Sequence, residues 1–220
     1  MAHHALPAVY DAFAPAFEYA VPFLVITERN RHAFNTRDIF GYQIADELVF
    51  DPQRLQNRVF LQVLDRLNIL NFGPAGLDMP QWAFYDCAVM PGIVFGFAAR
   101  SHAFPEWVYR AFEIPVDYQG YIPLSMHQAI PLVDRRSWLG YTISGIREVS
   151  WGIGPPGLNS LTLIMAAKGL GISYLYSVNQ WGSTKLDQFV QLGPLELLTA
   201  YTPAHTEPRT MTFRIAIDDE

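Results

Sequence analysis

Residues 151–178 read WGIGPPGLNSLTLIMAAKGLGISYLYSV, and this stretch decides the fold class. A turn rich in glycine and proline comes first, a helix is predicted over residues 158–169, and a strand-like apolar run follows over residues 172–179. The first turn of a helix presents unpaired N–H groups and the positive end of the helix dipole, and glycine lets a phosphate approach that backbone. The pattern therefore indicates either an anion-binding turn or a surface loop shaped by its glycines.

The composition is that of a folded chain with a surplus of apolar residues. Apolar side chains make up 50% of the 220 residues, while 16% are charged, against about a quarter in typical proteins. No repeat or linker divides the sequence, so we expect a single domain over residues 1–220 with an apolar N-terminal arm over residues 1–22. The apolar surplus fits a thick core, a partner interface or an apolar ligand channel.

Charge and motif content exclude several classes of protein. The net charge of -6 and the absence of a basic stripe disfavour nucleic-acid binding. A single cysteine, Cys87, rules out an intramolecular disulfide, and no spacing typical of a metal site occurs, so we expect no metal. The sequence has no apolar run of about 18 residues and no secretory leader pattern, so we expect no membrane span and a cytoplasmic location.

The predicted elements form a mixed sheet with helices on both faces. Strand-like runs lie at 22–30, 81–90, 93–100, 121–133, 138–146, 172–179, 194–202 and 209–217, and helices are predicted at 51–70, 104–112, 158–169 and 181–193. The runs 81–90 and 93–100 flank a Pro-Gly turn, which predicts a hairpin. The order predicts an α/β (α+β) fold with a central mixed, mostly antiparallel sheet.

Two of these elements carry predictions about single residues. Asp51 and Pro52 suit the first turn of a helix, and apolar residues follow at positions 55, 59, 60, 63, 64 and 67, which is typical of an amphipathic helix. In the run YIPLSMHQAIPLV, Pro123 and Pro131 cannot donate hydrogen bonds to a neighbouring strand. We therefore expect both prolines at the ends of this strand or at a sheet edge.

The order of strand, glycine-rich loop, helix, strand and helix resembles the GNAT superfamily of acyl-CoA-dependent N-acyltransferases, most clearly over residues 138–216. In that family a strand leads to a pyrophosphate-binding loop of the type Gln/Arg-x-x-Gly-x-Gly/Ala, which corresponds here to residues 152–159, GIGPPGLN. The closing helix often ends in Gly-Phe, where this sequence has Gly193 followed by proline. This loop has no basic residue nearer than Arg147, and Phe189 stands where the family often has a tyrosine general acid.

The resemblance implies a co-substrate, acyl-CoA, whose diphosphate lies against the main-chain N–H groups of residues 154–160. The residues that would bind it are Gly152, Gly154, Gly157, Leu158, Asn159 and Ser160. Asn159 also fits a plain helix cap. In the family, the strand before the loop parts from the strand after it and the pantetheine arm fills the gap, which places the gap here between strands 138–146 and 172–179.

Acyl transfer to an amine needs a base and a site that stabilises the oxyanion. His127 is the leading candidate base, because a strand period of two places Ser125, His127 and Ala129 on one face and a histidine titrates near neutral pH. A half-buried structural histidine is the alternative. His205, in the run TPAHT, is the second candidate base, unless it is a surface residue. The catalytic candidates are thus His127, Ser125 and His205.

Substrate contacts are predicted from polar and aromatic side chains. Arg29, in the polar block ERNRH, suits an acceptor carboxylate, and the alternative is a solvated turn. Asp86 is a lone carboxylate in an apolar run, so it is either functional or outward-facing. The aromatic residues expected near an acyl channel are Trp82, Phe84, Phe95, Phe97, Trp107 and Phe112.

Three functions are consistent with these features. The first is an acyltransferase that moves an acyl group from CoA or an acyl carrier protein to a small-molecule amine. In one form of this hypothesis the acyl chain is long. The second is a non-catalytic binder of an apolar small molecule on the same scaffold, which the missing tyrosine and the missing loop cation favour. The third is an interaction protein whose apolar face forms a homodimer.

Overall fold

In a computed structural model of the chain, the structure describes residues 19–29, 44–76, 78, 85, 93–146, 171–180, 195–198 and 210–217. The strands are β1 (Val21–Val25), β2 (Val49–Phe50), β3 (Ile93–Arg100), β4 (Tyr121–Pro131), β5 (Ser137–Gly145), β6 (Tyr174–Gln180), β7 (Leu195–Leu197) and β8 (Thr210–Ala216). The α-helices within these residues are α1 (Arg58–Phe72) and α2 (Glu106–Ala111).

The eight strands form one sheet in the order β2-β1-β3-β4-β5-β6-β8-β7. β1 runs parallel to β2, and β5 runs parallel to β6, whereas the other described pairs are antiparallel. The expected mixed, mostly antiparallel sheet is confirmed. The predicted helices at 158–169 and 181–193 lie outside the described residues, so helices on both faces of the sheet stay a prediction, as does the single domain.

The predicted hairpin of residues 81–100 is wrong. β3 pairs with β1 along one edge, over Val94–Ala98, and with β4 along its other edge. Both edges of β3 are therefore already paired along that stretch, so residues 81–90 cannot pair with it there. Within 81–90 the structure describes only Tyr85, and that residue is helical. A Pro-Gly turn signals a reversal of the chain, but the partner of a strand depends on segments that are distant in sequence.

The apolar face of α1 packs as its periodicity predicts. Phe60, Val63, Leu64 and Leu67 are all buried. The ring of Phe60 stacks on that of Phe50, with 3.6 Å between centroids. Burial of such a stripe is what stabilises a helix of this length, since isolated helices of about 15 residues are marginal in water.

The predicted start of this helix at Asp51 and Pro52 is wrong, because α1 begins at Arg58 after a turn and a short 3-10 helix. The carboxylate of Asp51 accepts hydrogen bonds from the amide of Gln53 at 2.8 Å and from the amide of Glu28 at 3.0 Å. Asp51 thus closes a local turn and joins it to the chain after β1, instead of capping an α-helix. Leu55, which belongs to the predicted apolar face, is 87% exposed.

The two prolines of β4 lie in different settings. Pro131 ends the strand, as predicted. Pro123 lies inside a strand that is central in the sheet, beside a bulge at which Leu124 of β4 is the extra residue between the partners of Phe97 and Ala98. A β-bulge tolerates a residue that has no N–H, so the expectation of a strand end or sheet edge is wrong for Pro123.

None of the helices in the described ranges is long and apolar enough to cross a membrane.

Candidate active site

The parallel strands β5 and β6 pair along only part of their length. Ser137–Gly140 pairs with Tyr174–Ser177, whereas β5 continues to Gly145 and β6 continues to Gln180. Beyond Gly140 and Ser177, the facing edges of the two strands have no strand partner within the described residues. We call this opening between the two strands the fork. The parting of the two strands agrees with the gap expected from the sequence.

The imidazole of His127 lies over Gly140, at the base of the fork. A Cβ atom built on Gly140 would stand 3.0 Å from Nε2 of His127 and 3.5 Å from its Cε1. The same position is 3.5 Å from the carbonyl oxygen of Tyr176 on β6. His127 is 1% exposed, so the ring is enclosed where β5 meets β6.

Strand register places further polar groups on the face that carries His127. Ala129 pairs with Gly140, and Gly140 pairs with Ser177, so Ser177 and Asn179 lie on the same face as His127. Trp138 lies two residues before Gly140 and shares this face. Among the described residues, Nε1 of Trp138 and Nδ2 of Asn179 are buried atoms without a hydrogen-bond partner.

Ser125 and His127 share one face of β4, as the strand period predicted. Ser125 is fully buried and pairs with Gly145, the last residue of β5. Helix α1 covers the opposite face of the sheet, because Phe60 meets the ring of Phe23 edge-on at 4.8 Å. Phe23 pairs with Gly96 of β3, and Gly96 pairs with Met126 of β4. Met126 and His127 are neighbours in β4, so their side chains point to opposite faces of the sheet. Phe23 and α1 therefore lie on the face opposite His127.

The tyrosines of β6 point away from His127. Tyr176 alternates with Ser177, and its hydroxyl accepts a hydrogen bond from Nη1 of Arg214 at 3.3 Å. Arg214 also stands over the ring of Tyr174 at 4.6 Å and donates from Nε to Glu196 at 2.5 Å. The hydrogen bond to Tyr176, followed by that to Glu196, raises the pKa of Arg214. These tyrosines are therefore poorly placed to replace the general acid that Phe189 cannot supply.

An acidic cleft lies at the other end of the sheet, beside β1 and β2. Its volume is about 160 Å³, and its lining includes the carboxylates of Glu28, Asp46, Glu47 and Asp51. Arg54 also lines the cleft, and its side chain forms an ion pair with Glu28. Four carboxylates and one paired arginine favour a cation over an anion in this cleft. No group of three histidine, cysteine, aspartate or glutamate side chains in the described part could hold a metal ion.

The other predicted site residues are divided between the core, the surface and the undescribed part of the chain. Phe97 is buried in the core, as are Phe95 and Phe112, whereas Trp107 is 37% exposed and Arg29 is exposed. The candidates outside the described residues are His205, Gly152, Gly154, Gly157, Leu158, Asn159, Ser160, Trp82, Phe84 and Asp86. Their proposed roles stay predictions.

Sequence reasoning missed Gly140, Ser177 and Asn179. A glycine inside a strand often marks a bulge or a close approach of another group, so Gly140 in WLGYTISGI carried a usable signal. Ser177 and Asn179 had none, because only the register with β5 brings them to the fork.

Comparison with known proteins places the fold. No protein-family profile matches the chain, and no curated protein matches it. The chain superimposes on aminoglycoside 6'-acetyltransferase type Ii with a TM-score of 0.53 and 12% identity, over 74% of this chain and 94% of that one. The chain has the GNAT fold.

Two further solved structures show weaker likeness to the chain. A probable acetyltransferase from Staphylococcus epidermidis has a TM-score of 0.47 and 8% identity, over 90% of this chain and 98% of that one. An acetyltransferase of the GNAT family from Staphylococcus aureus has a TM-score of 0.45 and 8% identity, over 71% of this chain and 93% of that one. The fold assignment rests on the likeness to the aminoglycoside acetyltransferase, and at 12% identity that likeness gives the fold and no activity, since one fold hosts many functions.

Proposed function

We propose that the protein is an acyl-CoA-dependent N-acyltransferase whose active site is the fork. The observation that supports this proposal is the end of β5–β6 pairing at Gly140 and Ser177, beside the buried imidazole of His127. The open strand edges offer N–H and C=O groups in the spacing that an extended ligand with amide groups pairs with. The pantetheine arm of CoA is such a ligand.

In the proposed reaction, the acceptor amine attacks the carbonyl carbon of the acyl thioester. A C–N bond forms, the C–S bond breaks, and the CoA thiolate leaves. His127 takes the proton that the amine nitrogen loses. The negative charge that develops on the carbonyl oxygen is stabilised by N–H donors at the fork, for which Nδ2 of Asn179 is the side-chain candidate.

The diphosphate of the co-substrate is assigned, on the resemblance, to the main-chain N–H groups of residues 154–160, of which Pro155 and Pro156 have none. A long acyl chain is proposed from the apolar composition alone, and the ratio of kcat/KM for palmitoyl-CoA to that for acetyl-CoA measures it. An acyl carrier protein as donor, a homodimer and a cytoplasmic location stay predictions from the sequence. Light scattering of the purified protein decides its oligomeric state.

The test combines binding with turnover. Isothermal titration with acetyl-CoA and with palmitoyl-CoA measures donor binding, and release of the CoA thiol in the presence of a panel of amines measures transfer. We expect His127→Gln to lower kcat by about 10²- to 10⁴-fold, with the dissociation constant of acetyl-CoA unchanged within about twofold. His102→Gln is the matched control, because His102 is exposed in the turn after β3.

Failure of both donors to bind would overturn the proposal. Binding without turnover on any amine would instead favour the second function, a non-catalytic binder, which the phenylalanine at position 189 already suggests. A co-purified apolar molecule, detected by native mass spectrometry, would support that reading.

A further inference from the structure

The main chain of Gly140 does not itself require a glycine. The described glycines with positive φ are Gly76 and Gly171, so Gly140 has a backbone conformation that other residues adopt. A glycine inside a strand costs about 0.5–1 kcal/mol relative to alanine, so its presence here needs another cause. The cause must lie in what a side chain at this position would meet.

A side chain at position 140 would meet the imidazole of His127. The first atom of such a side chain would lie 3.0 Å from Nε2, which is closer than ordinary van der Waals contact, and 3.5 Å from Cε1. On its other side, the carbonyl oxygen of Tyr176 limits any shift toward β6. The imidazole and a methyl group at position 140 therefore compete for one space.

A bulge brings the two residues together. The register between β4 and β5 shifts between Gln128 and Ala129, where the partner changes from Thr142 to Gly140. Tyr141 is thus the extra residue on β5. Bulges re-aim side chains and are frequent beside active sites. The shift places Gly140 of β5 opposite Ala129, one residue closer to His127 along β4. Gly140 therefore lies under the ring of His127.

We infer that Gly140 is a positioning residue, which keeps open the space through which the His127 imidazole crosses β5 and brings its Nε2 to the fork. The catalytic consequence rests on the proposed function, whereas the competition for space does not. Both consequences are measurable on the same variants.

The first experiment measures stability and so is independent of activity. We expect Gly140→Ala to lower the melting temperature by about 3–10 °C, as inserted methyl groups do in packed interiors. In a His127→Ala background, the same change should lower the melting temperature by less than half as much, because the vacated ring leaves room for the methyl group. Gly73→Ala is the matched control, since its Cβ would have only ordinary contacts, the nearest at 3.6 Å from Ile69.

The second experiment follows the imidazole. Long-range ¹H–¹⁵N correlation spectra of the folded variants should show shifted Nε2 and Cε1–H resonances of His127 in Gly140→Ala, with those of His102 unchanged. On the proposed reaction, Gly140→Ala should lower kcat by about tenfold or more at an unchanged KM for acetyl-CoA, and it should have no further effect in His127→Gln.

The outcomes separate the two proposals. Coupled melting temperatures and shifted His127 resonances without any acyl transfer would support the role of Gly140 and overturn the proposed function. Additive melting temperatures together with unchanged His127 resonances would overturn the role of Gly140 and leave the acyltransferase proposal standing on its own test.

Discussion

At the residue scale, the carboxylate of Asp134 closes the turn between β4 and β5. It accepts hydrogen bonds from the hydroxyl of Ser137 at 2.6 Å, from the amide of Ser137 at 2.9 Å and from the amide of Arg136 at 3.0 Å. These bonds, with the Ser137 hydroxyl first, lower the pKa of Asp134 below its usual 3.8. The bonds hold the first residue of β5 beside the turn that ends β4.

The depressed pKa of Asp134 predicts a pH dependence of stability. The charged carboxylate contributes fully above the unfolded-state pKa of about 4, and the contribution is lost as the pH falls through the lower folded-state pKa. We expect Asp134→Asn to be less stable than the wild type at about pH 6, with the difference shrinking toward about pH 2. Urea unfolding across this range measures it, and a difference that grows on acidification would contradict the assignment.

At the element scale, α1 is held by one apolar stripe. Phe60 packs against Phe50 and Phe23, and all three rings belong to the buried core. We expect Phe60→Ala to cost about 3–5 kcal/mol of unfolding free energy, since it removes a buried ring and leaves a cavity. Leu55→Ala, at an 87% exposed position just before the helix, should change it by less than about 0.5 kcal/mol.

Equilibrium unfolding in urea measures both substitutions. A cost at Leu55 comparable with that at Phe60 would show that the helix begins earlier and that its apolar face includes position 55, as the sequence alone predicts. An equal slope against urea concentration in the variants and the wild type confirms that both changes report stability.

A second prediction at this scale concerns the open edge of β5. Beyond Gly140, the edge of β5 that faces the fork is not paired with β6, while its other edge is paired with β4 as far as Gly145. We expect the fork-facing amides among Tyr141, Thr142 and Gly145 to exchange with solvent about tenfold faster or more than the β4-facing amides of β5. Acetyl-CoA should slow this exchange, and hydrogen exchange followed by NMR reads both effects. Equal exchange on the two edges would argue against an open fork.

The elements themselves could be predicted where their signal is local. The apolar stripe of α1 repeats at a helical period, and the runs that become β4, β5 and β6 are apolar or alternate at a period of two. The shared face of Ser125 and His127 follows from that same period. Pro123 could not be placed, because the bulge of β4 that accommodates it arises only from the pairing of β4 with β3.

At the scale of the whole molecule, ligand binding and folding are linked. A ligand that binds the folded chain alone stabilises it by about 2.7 kcal/mol at a concentration 100 times its dissociation constant. For a chain of this size, that corresponds to a rise in melting temperature of about 5–10 °C. We expect this rise with acetyl-CoA, and with His127→Gln as much as with the wild type, because a base acts on the reaction and not on donor binding. Differential scanning calorimetry measures it.

An unchanged melting temperature at millimolar acetyl-CoA would contradict the assignment of the fork as a CoA site. A rise that disappears in His127→Gln would mean that the imidazole binds the donor instead of acting as the base. Asp134→Asn, whose turn lies at the opposite end of β5 from the fork, serves as a control that should keep the full ligand-induced rise.

By itself, the sequence determined the runs that form β1, β3, β4, β5, β6 and β8, the apolar face of α1 and the face of β4 that carries His127, because each depends on the spacing of residues that are neighbours in the chain. Only the tertiary structure decided that β3 lies between β1 and β4, that Asp51 binds the amide of Glu28, and that His127 lies over Gly140. These contacts join segments that are far apart or offset by a bulge. Strand pairing and packing select them from many alternatives that satisfy the same local pattern equally well.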